Sequence, residues 1–264
     1  MAGSQSRGDR AWVDEGVGVI ATWADFETYA WTDIAKADTS TLEWLDKNLP
    51  ADMGVAASCH SVFEEVCWLM GYAHLCYQIY DAPDLVDAMF ARIGKIFVDM
   101  ARLFAQFKCV KLYFGGDDMG FKTGTMVQAD ILRTKCLPWH KQITAIAHNT
   151  GRVNVLHSCG DLSDIMDVII DDVGYDAKHS WEDVILPVTE AKKRWGGRIG
   201  IVGGIDVDFL CRASEADVRK RVRATLDVCH PGGGYCLGSG NSVANYIPLD
   251  NYLAMLDEGR KYGG

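Results

Sequence analysis

Short apolar runs alternate with amphipathic stretches along the chain from about residue 50 onward. Each run has the length of a buried strand, and most are followed by Gly, Asp or Ser. The predicted strands are residues 53–57, 110–114, 153–157, 175–179, 199–203 and 233–237. Between them, apolar residues recur every three or four positions, which predicts helices with one buried face. The predicted helices are residues 84–107, 129–149 with a bend at Pro138, 161–172, 187–195, 214–229 and 249–262.

The alternation of strands and helices predicts a parallel sheet in an α/β fold. Six or seven strand–helix units favour a TIM-barrel-like (β/α)8 architecture, in which residues at the C-terminal ends of the strands carry the chemistry. Residues 1–50 break this rhythm, because their four Trp residues are separated by turn residues. We therefore expect an incomplete barrel that lacks its first one or two βα units. The predicted domains are an irregular Trp-rich arm over residues 1–50, packed on the barrel or on a partner subunit, and a catalytic domain over residues 51–264.

Composition narrows the class of protein. Acidic residues outnumber basic ones by 36 to 26, and without a basic stripe a nucleic-acid partner is not expected. No apolar run reaches the roughly 20 residues that span a bilayer, and the polar first ten residues do not resemble a signal peptide. We expect a cytoplasmic protein whose nine cysteines are reduced. Cys67, Cys76 and Cys136 lie among apolar residues and are predicted to fill the core.

One predicted strand carries a His and a Cys at its C-terminal end. Side chains alternate along a strand, so Val153, Val155, His157 and Cys159 share one face. Cys236 ends another predicted strand in a Gly-rich stretch. Imidazole and thiolate are preferred zinc ligands, and three protein ligands would leave the fourth position open for a substrate. The spacing alone leaves a second interpretation open, in which the His-x-Cys triplet arises by chance and Cys236 is a small residue in a tight place.

Several motifs near the predicted strands together extend over most of the chain. They read WADFE at 23–27, GDDMG at 116–120, HSCG at 157–160, GGID at 203–206, PGGGYC at 231–236 and GSGN at 238–241. This set resembles the uroporphyrinogen decarboxylase superfamily, a barrel family with two branches. One contains metal-free decarboxylases of tetrapyrrole synthesis. The other contains zinc-dependent methyltransferases that take methyl from a corrinoid protein, such as methylcobamide:coenzyme M methyltransferases. Their zinc is held by His-x-Cys and a later Cys, which implies that His157, Cys159 and Cys236 bind zinc here.

Other polar residues at the ends of predicted strands are candidates for further roles. We expect a positioning role for Asp117, Asp118, His179 and Asp206. Candidate substrate contacts are His60, Glu182, Ser239 and Asn241, with a structural histidine as the alternative at His60. His179 or Glu182 could also supply a fourth zinc ligand. The Gly238–Asn241 loop could present backbone N–H groups to an anion or could be only a tight turn.

The resemblance implies a zinc-dependent methyltransferase that moves methyl between a corrinoid (methylcobalamin) on a partner protein and a thiol or similar acceptor. One alternative is a metal-free decarboxylase-like lyase that acts on a tetrapyrrole. The decarboxylase branch needs arginines and an aspartate from N-terminal motifs that this chain lacks. Another alternative is a non-catalytic, truncated barrel subunit that binds a corrinoid or a partner protein. A homo-oligomer or a companion subunit could complete the barrel, because an open ring of strands leaves unpaired edges.

Overall fold

The computed structural model describes residues 16–59 and 61–262. Within these residues the chain divides into two compact units. The first unit comprises residues 16–59, 61–158 and 162–176. The second comprises residues 159–161 and 177–262. Each unit contains three parallel strands with helices packed around them.

The first unit is built around three parallel strands in the order β1, β2, β5. The strands of this unit are β1 (Val55–Ala57), β2 (Val110–Gly116), a short antiparallel hairpin of β3 (Gly120–Phe121) and β4 (Gly124–Thr125), and β5 (Val153–His157). The register between β2 and β5 pairs Leu112 with Val153 and Gly116 with His157, so both strands end at the same edge. The predicted strands at 53–57, 110–114 and 153–157 are confirmed.

Helices make up most of the rest of the first unit. They are α1 (Trp23–Thr28), a 3₁₀ helix (Ile34–Lys36), α2 (Ser40–Asn48), α3 (Val62–Met70), α4 (Tyr72–Asp81), α5 (Pro83–Phe104), α6 (Ala129–Ile131), a π-helix (Leu132–Cys136), α7 (Leu137–Asn149) and a second π-helix (Val168–Val173). Apolar residues of α5 and α7 pack against β1 and β2 in one buried cluster. The Tyr113 hydroxyl donates to the Ala101 carbonyl at 2.7 Å, so this large ring is buried with its polar atom paired.

The second unit has three parallel strands in the order β6, β7, β8. These are β6 (Ala177–His179), β7 (Gly200–Val202) and β8 (Tyr235–Cys236), with helices α8 (Val188–Trp195), α9 (Val207–Arg212), α10 (Glu215–Cys229) and α11 (Leu249–Tyr262). Apolar residues of α9, α10 and α11 form its core. The predicted start of α10 is confirmed, because the Ser214 hydroxyl accepts the Asp217 N–H at 3.2 Å.

Three predicted features differ from the structure. The helix predicted at 129–149 is interrupted: a π-helical turn over Leu132–Cys136 separates α6 from α7, and Pro138 lies in the first turn of α7. The helix predicted at 161–172 forms only in its second half, as a π-helix that ends at the left-handed Gly174. The arm was predicted to be irregular, yet α1 starts at a capping box in which Thr22 and Asp25 exchange hydrogen bonds.

The cysteines differ widely in exposure. All nine are free thiols. Cys236 is exposed, whereas three others are half-buried, namely Cys76, Cys159 and Cys211. The remaining five are buried, namely Cys59, Cys67, Cys109, Cys136 and Cys229. The predicted core position therefore holds for Cys67 and Cys136 and only partly for Cys76.

The predicted fold class is confirmed: the chain is an α/β protein in which six parallel strands alternate with helices, in a TIM-barrel-like arrangement. Among the described residues the six strands fall short of the eight that close a barrel. No helix in that part of the chain combines the length and the apolar character that a membrane crossing requires.

Candidate active site

The C-terminal ends of β2 and β5 bring predicted site residues together in the first unit. The Asp117 N–H donates to the His157 carbonyl at 2.9 Å, which continues the pairing of the two strands. The Asp118 carboxylate then lies beside the imidazole, with Oδ1 3.7 Å from Nε2 of His157. Both of these side chains are half-buried, so they remain open to a ligand.

Nitrogen, oxygen and sulfur donors follow one another at the end of β5. Asp118 lies beside His157 within the first unit, and Cys159 follows His157 two residues along the chain. This is a donor set that binds zinc, and its residues are half-buried. Cys236 ends β8 as predicted, but it is exposed and belongs to neither of the donor clusters found among the described residues. Of the three predicted ligands, His157 and Cys159 are thus two residues apart at the end of β5.

A second cluster of possible metal donors is fully buried in the first unit and consists of Asp117, Cys136 and His140. The donor types are compatible with zinc. The Asp117 carboxylate is 2.9 Å from Nε2 of His140, and the Cys136 thiol donates to it at 3.5 Å. Burial, followed by the charge of Asp117, raises the pKa of the Cys136 thiol well above its usual value. Cys136 is therefore a neutral thiol in this arrangement.

Asp117 also begins helix α3. Its two carboxylate oxygens accept the N–H groups of Phe63 and Glu64 at 2.9 and 2.8 Å, in the first turn of that helix. Ser61, at the N-cap position, makes no side-chain capping bond, so the cap comes from the end of β2 instead. A carboxylate at a helix N-terminus is favoured by the free N–H groups and the helix dipole. The predicted positioning residue Asp117 thus holds α3 and His140.

Glu64 is a candidate site residue that the sequence reasoning missed. Burial raises the pKa of its carboxyl to about 7, and the nearby charges of Asp118 and Asp117 add to this effect. The Ser61 hydroxyl lies 3.5 Å from Glu64 Oε2. A carboxyl that titrates near neutral pH beside strand ends is typical of functional sites. The sequence signal was a pair of acidic residues inside the apolar stretch VFEEVCWLM.

The second unit carries a cleft at the ends of its strands. The cleft has a volume of about 1100 Å³, a size that accommodates a small-molecule ligand. Apolar side chains line much of it, including Val184, Val207 and Phe209. Four of the predicted site residues also line it, namely Cys159, Glu182, Asp206 and Asn241.

Cys159 contacts the loop that follows β8. The Asn241 side-chain amide donates to the Cys159 sulfur at 3.3 Å. Next along the chain, the Gly160 N–H donates to Glu182 Oε1 at 3.5 Å. Of the four predicted substrate contacts, Asn241 therefore touches a predicted metal ligand, and Glu182 contacts the backbone beside that ligand.

His179 and Ser239 meet where the GGID motif turns. Nε2 of His179 donates to the Ser239 carbonyl at 3.0 Å, and the Ser239 hydroxyl donates to the Asn241 carbonyl at 2.7 Å. Gly203 lies against both residues with φ +85°, and a Cβ there would come within 2.5 Å of the Ser239 carbonyl oxygen. The predicted turn of the GSGN loop is present, and the Gly240 N–H donates to the Ile205 carbonyl at 2.6 Å. That N–H is consequently not available to an anion.

Asp206 connects two loops and a helix. Oδ1 accepts the N–H groups of Asp208 and Phe209 at 2.8 and 3.2 Å and so caps α9. Oδ2 accepts the Asp183 N–H at 3.0 Å. Asp206 lines the cleft, but backbone hydrogen bonds occupy both of its oxygens. The last predicted residue, His60, lies outside the described residues.

The uroporphyrinogen decarboxylase (URO-D) family model matches residues 19–262. The chain belongs to this family. Among its relatives are proteins named uroporphyrinogen decarboxylase from Cupriavidus necator, 34% identical over 79 residues, and from Paraburkholderia phytofirmans, 32% identical over 99 residues. These alignments cover 29% and 37% of this chain, and 22% and 24% of the relatives.

The fold of this URO-D family member is similar to that of a solved methyltransferase from Methanosarcina mazei. The two superimpose with a TM-score of 0.69 at 16% identity, over 84% of this chain and 63% of the other. At this identity the similarity establishes the fold alone. This chain thus matches less than two thirds of the length of the relatives and of the methyltransferase named above. The proteins it resembles are named as enzymes of two kinds, a decarboxylase and a methyltransferase.

Proposed function

We propose that this URO-D family protein is a zinc-dependent methyltransferase that moves a methyl group between a corrinoid on a partner protein and a thiol or similar acceptor. The observation that carries the proposal is the donor set at the end of β5, where Asp118 lies beside His157 and Cys159 follows two residues later in the chain. The fold, which is similar to that of a solved methyltransferase, is compatible with this branch. Cys236, on β8, is the proposed third ligand.

The β5 cluster suits a resident metal better than the buried triad does. Cys136 is a neutral thiol that donates to Asp117, and Asp117 already accepts three further hydrogen bonds. A metal ion there would have to displace the cap of α3 and ionise a thiol in an apolar environment. Cys159 instead accepts an N–H donor and borders an open cleft. A thiolate in such a place is already stabilised and reachable.

Zinc bound there would hold the acceptor thiol as a thiolate near neutral pH. The chain's own residues then have distinct tasks. The cleft would accommodate the acceptor, and Val184, Val207 and Phe209 would contribute the apolar part of its lining. The thiolate sulfur would attack the methyl carbon, so that a C–S bond forms while the Co–C bond of the corrinoid substrate breaks and leaves its electron pair on cobalt. The proton of the acceptor thiol would pass to solvent when the thiol binds.

The test measures metal content and methyl transfer on the same preparations. Purified protein should hold about one zinc per chain, and Cys159→Ser should remove most of it, because a hydroxyl is a far poorer ligand than a thiolate. Cys211→Ser is the matched control, since Cys211 is also half-buried and belongs to the same unit. With methylcobalamin and a thiol under anaerobic conditions, the zinc protein should release cob(I)alamin. Cys236→Ala should slow this by about 10²-fold.

Stoichiometric zinc in a Cys159→Ser/Cys236→Ser double variant would contradict the assignment of the metal site. If a further Cys136→Ala change then removed the metal, the buried triad would be the site. The methyl acceptor could be a folate rather than a thiol, so both classes belong in the assay.

A second candidate is a metal-free decarboxylase-like lyase that acts on a tetrapyrrole. It is favoured by the relatives from Cupriavidus and Paraburkholderia, which carry the decarboxylase name. Decarboxylation of a tetrapyrrole at equal rates with and without a chelator, together with no methyl transfer to thiol or folate, would establish this candidate in place of the first. Absence of both activities would favour a non-catalytic subunit.

A further inference from the structure

A groove in the first unit lies between residues 31–35 and helix α5. Its volume is about 610 Å³, which is within the usual range for small-molecule sites. We propose that this groove binds a small organic phosphate, with the phosphate at Arg92 and Lys95 and an apolar body further along α5. None of its lining residues belongs to the β5 donor set or to the cleft of the second unit, so the proposal does not depend on the proposed function.

The face of α5 that lines the groove is basic. Arg92, Lys95, Asp99 and Arg102 follow one another at intervals of three or four residues, so they share one side of the helix. Three of these four side chains are cations, whereas the whole chain has a formal net charge of −10. A local excess of positive charge in an otherwise acidic protein attracts an anion to this groove.

Arg92 is held in place by an aromatic ring. Its guanidinium lies over Trp31, 5.3 Å from the ring centroid. That ring is itself fixed, because its Nε1–H donates to the Phe26 carbonyl at 3.0 Å and the rings of Phe26 and Tyr29 meet it edge-on. Within the described part of the chain, Arg92 has no carboxylate partner. A stacked guanidinium keeps its N–H groups free in a planar fork, which matches the oxygens of a phosphate.

Asp99 can release Lys95 to a ligand at little cost. It is paired with both Lys95 and Arg102, with Arg102 at 2.8 Å, and it would keep Arg102 when Lys95 turns away. Exposed ion pairs of this kind contribute little to stability. On the opposite wall, Asp33 is already paired at 3.1 Å with a lysine of its own 3₁₀ helix. Arg92 and Lys95 thus offer two positive charges, which match the charge of about −2 on a phosphate monoester at neutral pH.

The groove also has an apolar part. Ile96 and Leu103 on α5 and Ile34 on the 3₁₀ helix line it, and all three are half-buried. An apolar group that covers them would gain affinity from the surface it removes from water, and an inorganic anion cannot gain this. The groove therefore favours a phosphate that is attached to an apolar body.

The experiment measures the dissociation constant of phenyl phosphate by ligand-observed NMR titration at pH 7.5 and low ionic strength. Arg92→Gln and Lys95→Gln should each weaken binding by about 5-fold, because each removes one charged contact at an exposed site. Asp99→Asn should strengthen binding by about 3-fold, because it frees Lys95 and removes a repelling charge. Loss of structure could not produce that increase. Arg133→Gln is the matched control, since Arg133 is an exposed arginine of the same unit that pairs with Asp130 outside the groove.

Two further probes test the class of ligand. Inorganic phosphate lacks the apolar body and should bind at least about 3-fold more weakly than phenyl phosphate. Benzoate keeps the ring but carries a single charge, and it should bind about 5-fold more weakly. Benzoate binding as tight as that of phenyl phosphate would overturn the preference for phosphate, and equal binding of inorganic phosphate would overturn the apolar subsite.

The site itself has a separate criterion. If the wild-type protein shows no saturable binding of phenyl phosphate, the proposal is wrong. It is also wrong if the dissociation constants of Arg92→Gln and Lys95→Gln equal those of the wild type and Arg133→Gln, because the phosphate would then bind elsewhere on the chain.

Discussion

Arg152 is a single side chain that ties several backbone segments of the first unit together. Its guanidinium donates to the carbonyls of Val110, Ala105, Phe107 and Thr150 at distances between 2.7 and 3.1 Å. These carbonyls lie between the end of α5 and the start of β2, and beside β5. A planar group with five donors suits this arrangement better than an ammonium group does.

Arg152→Ala should lower the free energy of unfolding by about 3 kcal/mol, because several carbonyls lose a charged donor at once. For a chain of this size that corresponds to a fall in Tm of about 6 °C. The free energy of unfolding of Arg152→Lys should lie between those of Arg152→Ala and the wild type. Urea and thermal unfolding measure the effect, with Arg102→Ala as the control, since Arg102 makes an exposed pair with Asp99. Equal effects of the two alanine substitutions would contradict the prediction.

Glu64 predicts a pH dependence with a definite sign. Its pKa is about 7 in the folded protein and near 4.5 in an unfolded chain. Between these two values the unfolded state has released the proton while the folded state still holds it, so stability falls as pH rises through this window. Below about pH 4.5 both states are protonated and the penalty disappears.

Glu64→Gln removes this ionisation and keeps an acceptor oxygen. In chelator-treated protein the variant should match the wild type at pH 5 and exceed its Tm by about 3 °C at pH 8, a value discounted because the side chain is partly exposed. Glu27→Gln, which replaces an exposed carboxylate, is the control. A Tm difference between Glu64→Gln and wild type that is the same at both pH values would show that the carboxyl titrates normally.

At the scale of elements, two glycines near the strands of the second unit have the same backbone conformation but different surroundings. Gly203 and Gly232 both have positive φ, at +85° and +82°. A Cβ at Gly203 would meet Ser239 and His179, whereas a Cβ at Gly232 would meet nothing within 4 Å. Substitutions at these two glycines therefore distinguish the effect of backbone strain on stability from the effect of steric contact.

Gly232→Ala should cost about 1 kcal/mol of stability, which is the penalty for a side chain in the left-handed region. Gly203→Ala should cost at least about 2 kcal/mol more, because it also displaces the Ser239 carbonyl and the His179 ring. Chemical denaturation of both variants gives the comparison. Equal costs at the two positions would mean that the contact at Gly203 relaxes without resistance.

The positions of most helices and strands could be predicted from the periodicity of the sequence. The residues at which they end could not always be predicted. The predicted bounds of β5 and α11 agree with the structure, because an alternating strand and an amphipathic helix leave a local signal. The π-helical turns at Leu132–Cys136 and Val168–Val173 have no such signal, since they depend on which carbonyl each N–H reaches in the folded chain. Helices α3 and α4 were missed, and the cap of α3 comes from Asp117, 54 residues further along the chain from Phe63.

At the scale of the whole molecule, motifs predicted a candidate site, and tertiary contacts determined which side chains lie beside one another in it. The His157 and Cys159 pair could be found from strand alternation, because both residues are local to β5. Glu64, Cys136 and His140 could not, because they lie in separate helical segments and come together only beside Asp117. Net charge argued against a nucleic-acid partner but did not indicate the position of any site residue.

The nine thiols differ in exposure, so their labelling rates can show whether the two units unfold together or separately. Pulse labelling in urea below the unfolding midpoint should modify Cys236 first and the half-buried thiols next. Cys59 and Cys109, in the core of the first unit, should report its opening, whereas Cys229 reports the second unit from the last turn of α10. We expect Cys229 to label faster than Cys59, because helix ends fray at a lower free energy than a packed core opens. A single labelling rate shared by Cys59, Cys109 and Cys229 would mean that the two units unfold in one cooperative step. Oxidation of a core thiol in one unit would then require that the other unit unfold as well.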